Sequence, residues 1–247
     1  MIRPGFNAIL SKATENTLET LQQEIDSIKL FPQKAEKAKN LWSDKESTIE
    51  KRKAFAEVKH KLTKMSVSVG ICNYCEHNEG GDIEHIAPKS FFPEKTFVWD
   101  NYLLACKTCN SGYKLDQCFV LDNSGNTVSV PRKNEPPFKE LAFINPRIED
   151  PNRFMILNTQ SFMFRLKPGL SKMEQNKAEK TIDILKLNER DVLKKARESA
   201  ADYFYKSIDQ LIRILNSNTV EELKKLLSPY DKYYDSSLSL HQNKLKI

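Results

Sequence analysis

The sequence predicts an α+β protein, mostly helical, with a small metal-organised centre flanked by N- and C-terminal helical regions. Two observations carry this. Cys72/Cys75 and Cys106/Cys109 form two CxxC pairs, the spacing with which two knuckles close one tetrahedral zinc site. On either side of them, apolar residues recur at three- and four-residue steps, the period of an amphipathic helix.

The N-terminal region, residues 1–65, carries Leu18, Leu21, Ile25 and Ile28 on one stripe. Phe31-Pro32 marks a break, and a second helical stretch is expected from about Gln33 to Lys64, with Leu41, Trp42, Ile49, Phe55 and Val58. Its cations, Lys51-Arg52-Lys53 and Lys59/Lys61/Lys64, read either as a solvated face or as a surface that tracks phosphates.

The texture changes over residues 66–120. Val67-Ser68-Val69 reads as a short strand entering the first knuckle, and Asn78-Glu79-Gly80-Gly81 as a turn. Asp82 to Ile86 alternates as a second strand, Asp100 to Leu104 returns to the second knuckle, and Asn110 to Leu115 begins a helix. The third region, residues 121–247, opens with a loop or hairpin, since Asp122-Asn123-Ser124-Gly125-Asn126 is a turn and Pro131, Pro136 and Pro137 forbid helix. Helix resumes near Ser171. There Val192, Ala196, Ala200, Tyr203, Phe204, Ile208, Leu211 and Leu215 share a face expected to pack against other helices, and the polar tail from Asp231 is expected to be partly disordered.

Length and charge set bounds. The 247 residues suffice to bury a core, and no apolar run reaches the roughly 20 residues that span a bilayer. With no apolar secretory leader at Met1-Ile2-Arg3-Pro4-Gly5, the expected compartment is the cytoplasm. In that reducing setting five cysteines, four of them paired as CxxC, imply metal and not disulfides. Cys118 then reads as a small buried hydrophobe. The net charge of +6 favours polyanionic partners only mildly.

Between the knuckles lie groups suited to cleaving a phosphodiester with water. That reaction needs a base, a divalent cation and orienting groups. His85 suits the base, being able to accept a proton when neutral. Glu84 is a hard oxygen ligand for Mg2+ or Mn2+, Asn110 offers an amide oxygen, and Asp82 shares the face of Glu84. Four sulfur ligands leave no open position, so the zinc is structural. His77 is an alternative ligand, less suited with four thiols present.

Cys72-Asn73-Tyr74-Cys75, Asp82-Ile83-Glu84-His85-Ile86-Ala87-Pro88-Lys89, Trp99-Asp100-Asn101-Tyr102, Cys106, Cys109-Asn110 and Lys114 together resemble the HNH endonucleases with a ββα-metal centre. With Asn145-Pro146-Arg147-Ile148-Glu149-Asp150-Pro151 they are similar to PtuB, the HNH component of Septu-type and some retron antiphage systems. The resemblance implies a nuclease acting on DNA. In it His85 is the general base, Asn110 and Glu84 are ligands of the catalytic metal, and Asn101 braces the loop through backbone hydrogen bonds. It also makes Lys89 and Lys114 candidates for phosphate contact. Glu84 stands where many of these enzymes carry aspartate. The implied partner is an ABC-type ATPase of the PtuA kind. The competing reading is a non-catalytic, zinc-built module that binds nucleic acid or a partner.

Overall fold

The computed structural model describes residues 1–68 and 70–216. They form a mixed α+β protein, mostly helical, with three small antiparallel hairpins and a buried cluster of four cysteines. Residues Met1–Lys194 form one compact unit and a second begins at Lys195.

Three helices open the chain: α1 (Lys12–Asp26), α2 (Phe31–Ser43) and α3 (Ile49–Met65). Ser11 caps α1 by accepting from the Thr14 amide, and its hydroxyl donates to Glu57 of α3 at 2.6 Å, which pins the two helices together. Pro32 sits in the first turn of α2, where its missing N–H costs nothing. The expected single helix after it is two: Asp44 caps the end of α2 and Thr48 starts α3 by accepting from Lys51 N. The buried stripe of α1, Leu18, Leu21 and Ile25, meets Phe55, Val58 and Leu62 of α3 in one core cluster.

After α3 the chain turns at Ser66 and bends through Val67 and Ser68, so those residues are not the start of a strand; Val69 lies outside the described residues. The central hairpin pairs β1 (Gly80–His85) with β2 (Tyr102–Cys106), registering Asp82 with Ala105, Glu84 with Leu103 and His85 with Tyr102. All of β2 is buried, and its alternation explains why. Tyr102 and Leu104 join the N-terminal helical cluster, whereas Leu103 and Ala105 join a second cluster with Tyr74, Phe143, Ile144 and the later helices. A strand covered on both faces reads as an unbroken apolar run, as Tyr-Leu-Leu-Ala-Cys does.

Beyond the hairpin, Thr108–Lys114 forms a π-helical turn where the sequence suggested an ordinary helix start. Two further hairpins follow, β3 (Phe119–Leu121) with β4 (Thr127–Ser129), and β5 (Met155–Leu157) with β6 (Phe164–Leu166); the short α4 (Pro151–Phe154) separates them. Ser171 and Glu174 form a reciprocal capping box that starts α5 (Lys172–Ile184).

The last described helix is α6 (Asp191–Leu215), in the region where a long helix was expected. Within it Leu193 is buried, whereas Tyr203, Phe204, Leu211 and Leu215 are more than half exposed among the described residues. The described residues from 195 onward comprise one helix, with no second layer among them to cover it. The tail from Asp231 lies outside the described residues. Among the described residues no helix is long and apolar enough to cross a membrane.

Candidate functional site

The thiols of Cys72, Cys75, Cys106 and Cys109 are all buried, with their sulfurs within 4.8 Å of one another. Cys75 Sγ and Cys106 Sγ are 3.7 Å apart. A tetrahedral zinc with bonds of about 2.3 Å has sulfur–sulfur edges of about 3.8 Å, so the cluster fits a structural zinc. Hydrogen bonding among the four thiols pushes Cys75 and Cys106 down and Cys72 and Cys109 up, and zinc would require all four as thiolates.

Local backbone explains the convergence. In the first knuckle, Glu76 N donates to Cys72 O at 2.9 Å and Glu76 adopts a left-handed φ of 66°, which closes the turn. Cys72 N then donates to His77 O at 2.8 Å, while the His77 ring lies toward Glu79 and not among the sulfurs. Asn73 N donates to Leu104 O at 3.0 Å, clamping this knuckle to β2, whose last residue is Cys106. Gly80 passes so close to residues 70–72 that an added Cβ would lie 2.8 Å from Gly70 O and 2.9 Å from Cys72 N. Arg190 supplies a contact that no motif announced: its guanidinium donates to Cys109 Sγ at 3.5 Å and lies over the Tyr113 ring.

On one face of β1, two side chains reach across to the π-helical turn. Asn110 Nδ2 donates to Asp82 Oδ2 at 3.1 Å, both residues half-buried. Lys114 Nζ meets Glu84 Oε1 at 2.6 Å and also donates to His85 O at 2.7 Å. Tyr74, whose phenol burial and the neighbouring Glu84 charge keep protonated, donates to the same Glu84 oxygen at 3.5 Å. Both side chains of the Lys114–Glu84 pair are almost closed to solvent. Lys114 therefore acts as an internal brace and does not face outward where a phosphate contact would need it. A hard cation seeks oxygen ligands. Asp82 and Asn110 offer accessible ones, whereas the Glu84 carboxylate is already matched by an ammonium.

His85 points to the other face of the ribbon. Its Nε2 lies 2.9 Å from Thr96 O, and since a carbonyl only accepts, Nε2 carries the proton and Nδ1 presents a lone pair. The ring packs edge-on against Trp42, centroids 4.2 Å apart, and against Tyr102 at 5.3 Å. Burial, then the charge of Lys89, holds His85 well below the ordinary imidazole range, so it stays neutral. Among the described residues no hydrogen bond joins this ring to Asp82, Glu84 or Asn110.

Asn101 lies behind the loop that follows β1. Its Oδ1 accepts from Ala87 N at 2.7 Å, and its Nδ2 donates to Ala87 O and Lys95 O. Lys89 leans over the Trp42 ring, 5.9 Å from its centroid. Trp99 donates to Ala8 O and is stacked under Arg147, so it serves packing.

No family model matches the chain. It is similar to the Septu protein PtuB of Bacillus thuringiensis, 25% identical over 178 residues that cover 70% of this chain and 52% of the relative. The chain thus spans about half the length of that relative. Over that stretch the chain is distantly similar to the Septu protein PtuB.

Proposed function

We propose that the chain is the HNH-type nuclease subunit of a Septu-like antiphage complex, hydrolysing phosphodiester bonds of DNA beside an ABC-type ATPase of the PtuA kind. The observation that carries this reading is the tautomer of His85. Thr96 O holds the Nε2 proton, burial keeps the ring neutral, and Nδ1 remains as a proton acceptor at pH 7.

His85 takes a proton from water at Nδ1 as the water oxygen bonds phosphorus. The leaving oxygen departs with the electrons of its bond and takes a proton from solvent. Asp82 and Asn110 are the residues that would hold a magnesium or manganese ion. Such an ion would offset charge on the phosphate and the leaving oxygen. Glu84 shapes this face through Lys114, and Asn101 fixes the loop that leads away from the base.

Two observations favour the non-catalytic alternative, in which the zinc-built centre only binds nucleic acid or a partner: His85 and the Asp82–Asn110 pair occupy opposite faces of β1, and Trp42 packs on the imidazole. Supercoiled plasmid decides between them. It is incubated with the purified chain and magnesium or manganese, alone and with an ATPase encoded beside it. Nicking or linearisation that requires the added ion supports the nuclease; retention of plasmid without cleavage in both settings supports the binding module.

A further inference from the structure

The face of β1 that carries His85 is completed by residues far outside the knuckles. Trp42 lies in the last turn of α2 and Lys45 in the turn before α3, both in the N-terminal helical region. Trp42 is not a loose flap. Its ring packs against Phe55, His85, Phe97 and Tyr102 at centroid distances of 5.5, 4.2, 6.1 and 5.8 Å, so it is a fixed wall against the imidazole. Two ammonium groups lean over that same ring, Lys45 at 5.1 Å and Lys89 at 5.9 Å from its centroid.

Among the described residues Lys89 makes no close ion pair, although the charges of Asp116 and Glu84 act on it. Lys45 meets the exposed Glu46 only at 3.9 Å, a distance and setting in which an ion pair contributes little. Lys114, the third ammonium near His85, is different, because Glu84 holds it. Lys45, Lys89 and His85 also act on one another electrostatically, which places all three in one neighbourhood. Lys89 is partly desolvated by burial and is repelled by the charge of Lys45, and an anion held by both would relieve that repulsion.

We propose that Lys45 and Lys89, brought together over Trp42, form the seat for a backbone phosphate of DNA beside His85, so that the N-terminal helical region supplies part of the substrate site. This rests on the nuclease reading and adds to it a residue, Lys45, that lies outside the knuckle motif. The chemistry recognised is a phosphodiester anion, not a base: the half-buried Trp42 ring is already packed against Phe55, His85, Phe97 and Tyr102, and the groups that lean over it are two ammoniums.

The test uses the full-length, zinc-loaded protein and a short fluorescein-labelled DNA duplex, with anisotropy read over a series of NaCl concentrations and no added magnesium or manganese. Lys45→Gln and Lys89→Gln are compared with Lys53→Gln, which removes the same charge from the exposed surface of α3. Circular dichroism and zinc content are matched across the set. Each of the first two variants should weaken binding by about 3- to 10-fold and lower the salt slope by about one, against under about 2-fold for Lys53→Gln. Equal binding by Lys45→Gln and Lys53→Gln overturns the proposal, as does wild-type protein that fails to bind duplex. Tighter binding to a labelled single-stranded RNA of the same length would overturn the choice of DNA. The nuclease reading fails separately, by unchanged plasmid cleavage in His85→Ala, and that result leaves the binding comparison intact.

Discussion

Lys114 Nζ lies 2.6 Å from Glu84 Oε1 where both side chains are almost closed to solvent, and the same ammonium donates to His85 O. One side chain from the π-helical turn thus holds both the carboxylate and the backbone of the strand that ends in His85. Removing one partner of such a pair leaves a buried charge unmatched, at a cost of about 3–5 kcal/mol. Lys114→Met should be destabilised by that order in urea unfolding, and the double variant Lys114→Met/Glu84→Gln should recover much of the loss. Additive losses would show that the two side chains do not act as a pair.

The zinc centre makes a second prediction. Purified protein should contain one zinc per chain by mass spectrometry, and Cys106→Ser should lose it. Losing a structural ion of this kind, at a few kcal/mol in a chain of this size, should lower the melting temperature by about 10 °C. Zinc content unaffected by Cys106→Ser would contradict a four-sulfur site.

Gly80 tests the knuckle's backbone. A methyl group there would lie 2.8 Å from Gly70 O and 2.9 Å from Cys72 N, so backbone must move to admit it. Gly80→Ala should cost about 1–3 kcal/mol and release zinc to a colorimetric chelator faster than wild type. Gly81→Ala, where nothing lies within 4 Å of the added carbon, is the matched control and should not.

His85 gives a pH dependence with a definite sign. Burial depresses its folded-state pKa, so in the window below the usual imidazole value of about 6.5 the unfolded chain takes up a proton that the native state refuses. Stability from this source is present above that value and falls as pH drops through it toward the folded pKa. Urea midpoints measured from pH 7.5 to 5 should fall less steeply for His85→Gln than for wild type. Parallel curves would show that His85 is not held neutral.

Much of this was legible because it is local. CxxC spacing foretold the sulfur cluster, the alternation from Asp82 to His85 foretold β1, and the helical pattern resuming near Ser171 foretold the start of α5. The division between α2 and α3 was hidden because the apolar rhythm of Leu41, Trp42, Ile49 and Phe55 runs through residues 44–48 with no glycine or proline; Thr48, a good cap, was the available signal. The π-helical turn has no sequence period of its own. Long-range pairings were the least visible. Nothing near Lys114 reveals that its charge is answered by Glu84, and nothing near Trp42 reveals that its ring lies on His85. The stripe on α6 marks the same limit, since periodicity shows which residues share a face and not what covers it.

The central claim is that His85 Nδ1 accepts the proton of the attacking water. Its most direct test is the single-turnover rate of DNA cleavage by wild type and His85→Ala under saturating enzyme, magnesium or manganese, and any ATPase that activates the chain. The account predicts a loss of about 10²- to 10⁴-fold for His85→Ala, with zinc content and DNA affinity unchanged. Equal rates in the two proteins would contradict it.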